Sequence, residues 1–393
     1  MGNILGVLRN TLHITVEAAH MMIGDRVRSW NPAREIPPGA LAGKIVLITG
    51  GTVGIGRQAA VDLASQPGNQ PAEIWIASRN AALGREVVAE VERAAAEARQ
   101  RHKLSRRRRS GNKNDEDEDD EDDDEEEEEP LRARFVPLDL ASFASVHEAA
   151  RTVAAAVPRL DILILNSGLM GGPVSATTED GYELRFGLNY VGHVLLAKLL
   201  LPLMLRSSEG QEQEGDGQGH GQGPRIVAVS STAHSYTPAG GIVFDALKGP
   251  AAHLERTQRY GQSKLALVLW AREMAERVPQ VTTVSIHPGT VRTELFSQPE
   301  GGFVYRALKY IFVPLFGLSV ADGTKNTLWA ATAPAAKKGG RGVGRSGRGA
   351  GLINGEYYEP VGVPGLGSRF TTDRGLSKRL WEWTEEELKG QEL

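Results

Sequence analysis

Tyr260 and Lys264, in the stretch YGQSK, are the residues whose types and spacing first suggest chemistry. The stretch lies in a predicted helix, so the two side chains are neighbours one turn apart. A phenol with an ordinary pKa of about 10 is a poor base at neutral pH, but a nearby ammonium favours the phenolate. Taken alone, such a pair is more often an exposed aromatic beside a solvated amine. With a cofactor nearby, it predicts a tyrosine that exchanges protons with a carbonyl or alcohol.

Two serines, Ser230 and Ser231, lie thirty residues upstream of the tyrosine, at the end of the apolar run RIVAVSS. A serine hydroxyl at this point can bind a substrate oxygen and stabilise charge that develops on it. Either serine could equally satisfy a hydrogen bond at the end of a strand.

Short apolar runs alternate with helical stretches along the chain, and these elements must position the polar groups. Runs that are apolar throughout predict strands covered on both faces, as in a parallel sheet between helices. The alternation therefore predicts one doubly wound α/β sheet with right-handed crossovers. The runs begin at Lys44, Ala72, Arg132, Leu160, Arg225 and Val281; the helices are expected near Ile55–Gln66, Ala81–Ala98, Ser142–Ala156, Glu179–Leu205 and Tyr260–Arg277; and Gly355–Pro360 could add an edge strand.

Three glycines, Gly50, Gly54 and Gly56, follow the first run directly and precede the first helix. Their spacing suits a tight turn whose backbone approaches a pyrophosphate at a helix N-terminus. A glycine triplet alone is a weak signal, but its place after the first strand of an alternating fold predicts a dinucleotide site.

The residues after the second strand bear on which nucleotide binds. In proteins that bind NAD an acidic residue usually receives the ribose hydroxyls there. This chain has Ser78 and Arg79 instead, and Arg57 of the glycine loop can reach the same corner. Two guanidinium groups suit the extra phosphate of NADP, so NADP(H) is favoured over NAD(H). Asp139, after the third strand, is placed either to bind the adenine amino group or to cap the next helix.

Five motifs in the expected order resemble those of the short-chain dehydrogenase/reductase family, over nearly all of residues 43–360. They are TGGTVGIG, NSG, the serine after the fifth strand, YGQSK and HPGTVRT. The flanking residues are similar to the retinol-dehydrogenase-like branch, in particular its fungal members. The resemblance implies a single-domain Rossmann-like fold and an NADP(H)-dependent oxidoreductase that interconverts a carbonyl and an alcohol.

The resemblance also implies roles for individual residues. Tyr260 would be the catalytic acid/base, and Lys264 would lower its pKa and hold the nicotinamide ribose. Ser231, more than Ser230, would orient the substrate oxygen together with Tyr260, and Asn189 would complete a proton relay through water. No metal is expected. The implied cofactor-binding residues are Thr49, Gly50, Gly54, Ile55, Gly56, Arg57, Ser78, Arg79, Asp139, Leu140, Asn166, Ser167, Gly168, Tyr260, Lys264, Pro288, Gly289, Val291 and Thr293.

Composition limits the other classes. The chain has 393 residues, no cysteine and a net charge of −4, so disulfides and cysteine zinc sites are excluded. Residues 99–130, 207–224 and 337–351 are low-complexity insertions expected to be disordered, the first with a run of acids from Asp115 to Glu129. Outside them the charge is nearly balanced, so we expect no nucleic-acid partner.

The segments that flank the predicted domain leave several alternatives open. Residues 1–42 form an N-terminal extension, too polar to span a bilayer, that could be an amphipathic helix on a membrane surface or on the domain. We expect a cytoplasmic protein, with peripheral attachment to an intracellular membrane as the alternative, and leave homo-oligomerisation open. Residues 361–393 form a C-terminal tail with a helix.

The apolar segment Leu295–Val320 suggests a lipophilic substrate, although it could instead pack on the domain or in a dimer face. The main alternative function is a non-catalytic dinucleotide-binding scaffold that uses its acidic and glycine-arginine loops for partners; a methyltransferase of similar fold is disfavoured, because no acid follows the second strand.

Overall fold

The computed structural model describes residues 24–110, 129–173, 175–213, 223–291, 317–336 and 351–393. They form an eight-stranded sheet of order β3-β2-β1-β4-β5-β6-β7-β8, in which only the pairing of β7 with β8 is antiparallel. This order is that of the doubly wound nucleotide-binding fold, as predicted. The strands are β1 Ile45–Thr49, β2 Glu73–Ser78, β3 Arg132–Pro137, β4 Ile162–Leu165, β5 Arg225–Val229, β6 Thr282–Ile286, β7 Tyr357–Glu359 and β8 Val363–Pro364.

Helices cover both faces of the sheet, and strand β1 shows how the core is divided. Ile45 and Leu47 belong to one buried cluster, whereas Val46 and Ile48 belong to the other. Successive residues of a strand point to opposite faces, so a run without polar residues is what a sheet covered on both sides requires. The principal helices are α1 Gly24–Ser29, α2 Pro32–Glu35, α3 Gly54–Ala64, α4 Ala81–Ser110, α5 Phe143–Ala156, α6 Gly192–Gln213, α7 Arg256–Arg277, α8 Val320–Thr332 and α9 Arg374–Glu387.

Strand order reverses between β1 and β4, and the glycine turn lies at this crevice. Ligands of open α/β sheets bind outside the carboxyl ends of the strands at such a point. The Asn166 side chain crosses the crevice and donates to the Thr49 carbonyl at 2.9 Å. The fold therefore brings the ends of β1, β4 and β5 to one edge, where the predicted site residues follow them.

Two helices extend into segments for which the sequence predicted no regular structure. Helix α4 continues through residues 99–110, and α6 continues past Ser207 to Gln213. Arginine, lysine and glutamine have high helix propensity, so a helix already begun can extend into a charged or polar segment without burying it. Regular structure therefore continues to Ser110 and Gln213, while Asp115–Glu128 of the acidic run and residues 337–350 lie outside the described residues.

The helix predicted at Glu179–Leu205 begins later than expected. Thr178 to Gly181 form a turn, and the Glu183 carboxylate accepts a hydrogen bond from the Phe186 amide, which starts one α-helical turn at Leu184. A five-residue π-helical segment, Gly187–Val191, then leads into α6. The stretch Leu184–Ser208 is long and apolar enough to cross a membrane, but most of it is buried within the protein.

The C-terminal segment is part of the fold. Leu380 and Leu388, on or next to α9, belong to the larger core cluster, and the Ser377 hydroxyl donates to the Leu269 carbonyl of α7 at 3.0 Å. The helix predicted within residues 361–393 is thus present.

Strand β7, expected at an edge, pairs with β6 and β8, so the short β8 forms that edge.

Candidate active site

Helix α7 carries Tyr260 and begins earlier than predicted. Glu255 and Gln258 form a reciprocal capping box that starts the helix at Arg256, so Tyr260 lies one turn inside it. Gly261 then lets α7 approach the loop after β5, because a Cβ there would meet the Tyr236 carbonyl oxygen at 2.4 Å. Such a contact is too short for any side chain, which explains a glycine next to the tyrosine.

Ser231 and Tyr260 meet at the carboxyl end of β5. The Ser231 side chain lies close enough to the phenol to act on its pKa, which it lowers, and the Ser231 oxygen accepts from the Ala233 amide at 3.2 Å. Ser230 is engaged elsewhere, because its hydroxyl donates to the Lys264 carbonyl at 2.8 Å. The structure therefore gives Ser230 the strand-end role that the sequence left open and turns Ser231 toward the phenol.

Lys264 lies in the same pocket and is 2% exposed. Its Nζ donates to the Val229 carbonyl at 2.8 Å and lies 5.8 Å from the centroid of the Tyr260 ring. A Cβ on Gly168 would lie 3.3 Å from the same nitrogen, so the NSG loop faces the amine closely. Tyrosine, lysine, serine and the loop after β4 are thus brought together as the sequence predicted.

Burial controls the ionisation of this pair. It raises the pKa of Tyr260 to about 12, with a smaller lowering effect from Ser231, and it lowers the pKa of Lys264 to about 7. In the chain without cofactor, removal of the phenol from water is the largest influence on the pKa of Tyr260. The role of Lys264 in lowering that pKa stays a prediction. At neutral pH Tyr260 is a neutral phenol, which can donate a proton.

The Asn189 side chain holds the loop after β4 instead of pointing at the phenol. Its Oδ1 accepts from the Leu169 amide at 2.7 Å, and its Nδ2 donates to the Leu169 carbonyl and to Ser263 Oγ. Ser263 Oγ in turn donates to the Tyr260 carbonyl at 2.7 Å. The side chain therefore connects the loop after β4 to helix α7, and the relay through water stays a prediction.

His193, which the sequence analysis missed, joins the two halves of the site. It is fully buried, and burial lowers its pKa to about 3, so it is neutral. Its Nδ1 lies 2.9 Å from the Asn189 carbonyl, which can only accept, so Nδ1 carries the proton. Its Nε2 then accepts from Thr49 Oγ1 at 2.9 Å. The one sequence signal was a histidine four residues after Asn189 on a helix.

Thr49 continues this network into the loop after β4. Its hydroxyl oxygen accepts from the amides of Asn166 and Ser167 at 2.9 and 3.0 Å. The glycine turn and the NSG loop are therefore fixed to each other through one threonine.

A second feature not predicted is a buried group of charges, Glu183, Arg185 and Arg259. The Arg185 guanidinium lies 2.9 Å from the Glu183 carboxylate and donates to the carbonyls of Met170, Gly171 and Gly172. Arg259 precedes Tyr260 and donates to the Pro250 carbonyl at 3.1 Å. These bonds fix the backbone that follows Gly168 beside the start of α7. Nothing in the spacing of these residues distinguished them from surface charges.

The geometry of the glycine turn fits a dinucleotide pyrophosphate. Gly50 and Gly54 have φ of +66° and +54°, a conformation that favours glycine. A Cβ on Gly56 would meet the Gly50 carbonyl oxygen at 2.4 Å, so the third glycine permits the close packing of turn and helix. Ile55 lies between Gly54 and Gly56 in the first turn of α3. The free backbone amides at the start of a helix favour an anion.

The predicted hydroxyl and one predicted arginine lie at the end of β2, and the other arginine, Arg57, lies in the first turn of α3. Ser78 Oγ lies 2.9 Å from Thr52 Oγ1 of the glycine loop. Arg79 is exposed, and Arg57 donates from Nε to Glu90 at 2.7 Å. The Asp139 carboxylate accepts from the Ala141 amide at 2.9 Å, which is a contact within a local turn. The described N-cap of α5 is Ser142, so Asp139 is not its cap.

Leu140 and the loop after β6 complete the edge of the site. The Leu140 carbonyl packs against Gly192, where a Cβ would come within 2.2 Å. Pro288 and Gly289 follow the His287 carbonyl, which accepts from Asn326 Nδ2 at 2.7 Å, and Val291 pairs with Leu318. Thr293 and residues 295–316 of the predicted substrate segment lie outside the described residues.

Comparison with known proteins agrees with this geometry. The family model described as short chain dehydrogenase matches residues 115–300. An uncharacterized oxidoreductase of Schizosaccharomyces pombe is 30% identical to this chain, and the match covers 88% of this chain and 84% of the relative. Human retinol dehydrogenase 13 is 34% identical, and the match covers 72% of this chain and 68% of the relative.

A solved structure shows the same fold. The Pseudomonas aeruginosa RhlG/NADP active-site complex has 18% identity and a TM-score of 0.52, over 83% of this chain and 98% of its own. With the motifs, the sheet order and the convergence of Ser231, Tyr260 and Lys264, these relatives show that the chain belongs to the short-chain dehydrogenase/reductase family and is a retinol-dehydrogenase-like oxidoreductase.

Proposed function

We propose that this protein is an NADP(H)-dependent reductase of a small lipophilic carbonyl compound, with Tyr260 as the proton donor. The observation that carries the proposal is the meeting of Ser231, Tyr260 and Lys264 at the end of β5, beside the glycine turn. When bound, the nicotinamide supplies or accepts the hydride. The chain itself then has to hold the substrate oxygen and manage one proton.

The state of the phenol favours reduction. With its pKa raised to about 12 by burial, Tyr260 carries its proton throughout the neutral range. A carbonyl oxygen that becomes an alkoxide needs such a donor, and the hydroxyl of Ser231 can stabilise the developing charge. Oxidation of an alcohol would require the phenolate, which the buried pocket disfavours until a positive charge is added nearby.

The preference for NADP(H) rests on the corner after β2. Arg79 follows the strand, Arg57 lies in the first turn of α3, and both are exposed, while no aspartate or glutamate follows the strand directly. Guanidinium groups bind phosphate through paired, charge-assisted hydrogen bonds. The hydroxyls of Thr52 and Ser78 line the same corner without adding charge.

The substrate class is inferred from the relatives and the sequence. Human retinol dehydrogenase 13 is named for a lipophilic alcohol, and the segment Leu295–Val320 of this chain is apolar and aromatic. A peripheral position on an intracellular membrane would suit such a substrate, whereas a cytoplasmic position suits the mostly buried apolar helix Leu184–Ser208. We keep both locations as predictions.

The test is consumption of NADPH, followed at 340 nm, with a panel of lipophilic aldehydes and ketones. The Tyr260→Phe variant removes only the acidic hydroxyl. We expect it to bind NADPH and to lose turnover by about 100-fold or more, as for the loss of a general acid.

Tyr190→Phe is the matched control. Tyr190 is also fully buried, and its hydroxyl bonds only to Thr384 among the described contacts. We expect this variant to keep its turnover. A Tyr260→Phe protein with near wild-type activity would show that the phenol has another role. A wild-type protein that binds NADPH and reduces no carbonyl would favour the non-catalytic scaffold.

A further inference from the structure

Arg57, which the proposed function assigns to the extra phosphate of NADP, already has a carboxylate partner, Glu90. Arg57 Nε donates to Glu90 Oε2 at 2.7 Å, from the start of α3 to the third turn of α4. The Arg57 side chain is 51% exposed and that of Glu90 is 31% exposed. Because both groups reach water, the pair can separate without leaving a buried charge.

Two carboxylates, those of Glu90 and Glu86, act on the positive charge of Arg57. The surroundings of Arg79 differ. The hydrogen bond to Glu90 is the main cause that raises the pKa of Arg57, and the charge of Glu86, one turn earlier on α4, adds to it. Among the described residues, no ion pair of Arg79 is found. One arginine of the corner therefore meets an incoming phosphate freely, while the other must first leave a partner.

We propose that Glu90 is a specificity-determining residue that limits the preference of this enzyme for NADP(H) over NAD(H). The phosphate on the adenosine ribose and the Glu90 carboxylate compete for one guanidinium, and only NADP(H) carries that phosphate. NAD(H) leaves the Arg57–Glu90 pair intact. The inference rests on the proposed use of NADP(H) and adds a residue that does not itself touch the cofactor.

Replacement of Glu90 by glutamine tests the competition. The amide keeps the shape of the side chain and removes its charge. We expect Glu90→Gln to lower the Kd for NADPH by about two- to fivefold, the range of an exposed ion pair, and to leave the Kd for NADH unchanged. Titration calorimetry with each cofactor alone gives both constants, so no substrate is required.

Two further sets of variants separate this effect from a change in net charge. Glu86→Gln removes the same charge one helical turn away and should change the Kd for NADPH by less than half as much. In an Arg57→Ala background, Glu90→Gln should have no effect, because the competition needs the guanidinium. Melting temperatures of all variants confirm that each one folds.

Three results would overturn the inference while NADPH remains the preferred cofactor. They are an unchanged or weaker affinity for NADPH in Glu90→Gln, an equal gain in Glu86→Gln, and a gain that persists without Arg57. A wild-type protein that binds NADH at least as tightly as NADPH would refute the proposed cofactor, and this inference with it. The two failures are therefore distinguishable in one set of titrations.

Discussion

The two ends of the proposed cofactor site hold their charged and polar groups in opposite ways. At the catalytic end, Lys264, Asn189 and His193 are buried, and their hydrogen bonds run to the ends of β5, the loop after β4 and the glycine turn. At the phosphate end, Arg57 and Arg79 are exposed, and Arg57 has one carboxylate partner at the surface.

The difference indicates which property each end controls. A buried polar group that loses its partner costs about 1–3 kcal/mol, so the geometry at the catalytic end is fixed by the fold. An exposed ion pair contributes about 0–1 kcal/mol and is screened by salt. We therefore expect changes at the catalytic end to affect turnover strongly, and changes at the phosphate end to adjust affinity by small factors.

Lys264→Met gives the largest expected effect on this comparison. The change removes the ammonium beside the phenol and keeps the length of the side chain. With saturating NADPH, we expect the turnover number to fall by about 100-fold or more, as for other losses in acid–base catalysis. Lys325→Met is the control, since Lys325 is also largely buried but donates to the Val27 carbonyl, away from the site. Equal turnover in both variants would contradict a role for Lys264.

Lys264→Met should raise the stability of the folded protein although it lowers the turnover number. Burial lowers the pKa of Lys264 to about 7, whereas an unfolded lysine titrates near 10.4. Between these values the unfolded chain holds a proton that the folded chain has released, so the stability of the wild type rises with pH. Below pH 7 both states are protonated and the cost of the buried ammonium is present in full. Without cofactor, Lys264→Met should therefore melt higher than the wild type at about pH 6.5, and the gain should shrink toward pH 10.

The sequence was sufficient to predict the sheet and the residues at its edge. The apolar runs gave six strands, and glycines, a serine and a tyrosine–lysine pair at their ends predicted one site. The local signal is strong because a parallel strand and a phosphate turn each need particular residues in consecutive positions. The point at which α4 ends could not be predicted as well. Beyond Arg99 the helix propensity of the residues favours a continued helix, whereas their low-complexity, charged composition favours disorder.

The interior contacts of the site could not be predicted. The hydrogen bond between Thr49 and His193 joins residues 144 positions apart, and no pattern in a single sequence predicts such a contact. Burial is equally a property of the folded chain, so its effect of raising the pKa of Tyr260 could not be predicted from the sequence. Residue types predicted which groups meet at this edge of the sheet, whereas packing determines how deeply each group is buried.

Variants of His193 should have effects of intermediate size. The hydrogen bonds of its two ring nitrogens can be replaced separately. Asparagine can keep the donor to the Asn189 carbonyl, and glutamine can keep the acceptor for the Thr49 hydroxyl. We expect His193→Gln to lower the turnover number and His193→Asn to raise KM for NADPH, each by about five- to tenfold, as for one buried hydrogen bond.

The distinction between the two parameters is the decisive measurement for His193. If both variants changed the melting temperature alone, or changed the same kinetic parameter equally, His193 would be only a core residue. His147→Gln serves as control, because His147 is bonded to Gln391 far from the site, and we expect no change in either parameter.

Ionic strength gives the smallest effect and compares the two ends in one protein. Between about 0.05 and 0.5 M salt, the Debye length falls from above 10 Å to about 4 Å, which screens exposed charges but hardly affects buried ones. The ratio of the Kd values for NADH and NADPH reports on the phosphate end, because the two cofactors differ only in one phosphate. We expect this ratio to fall by a few fold with salt, while the turnover number at saturating NADPH stays constant. A ratio that did not respond to salt would mean that buried groups determine the preference for NADPH, and the contrast between an exposed and a buried end would then be wrong.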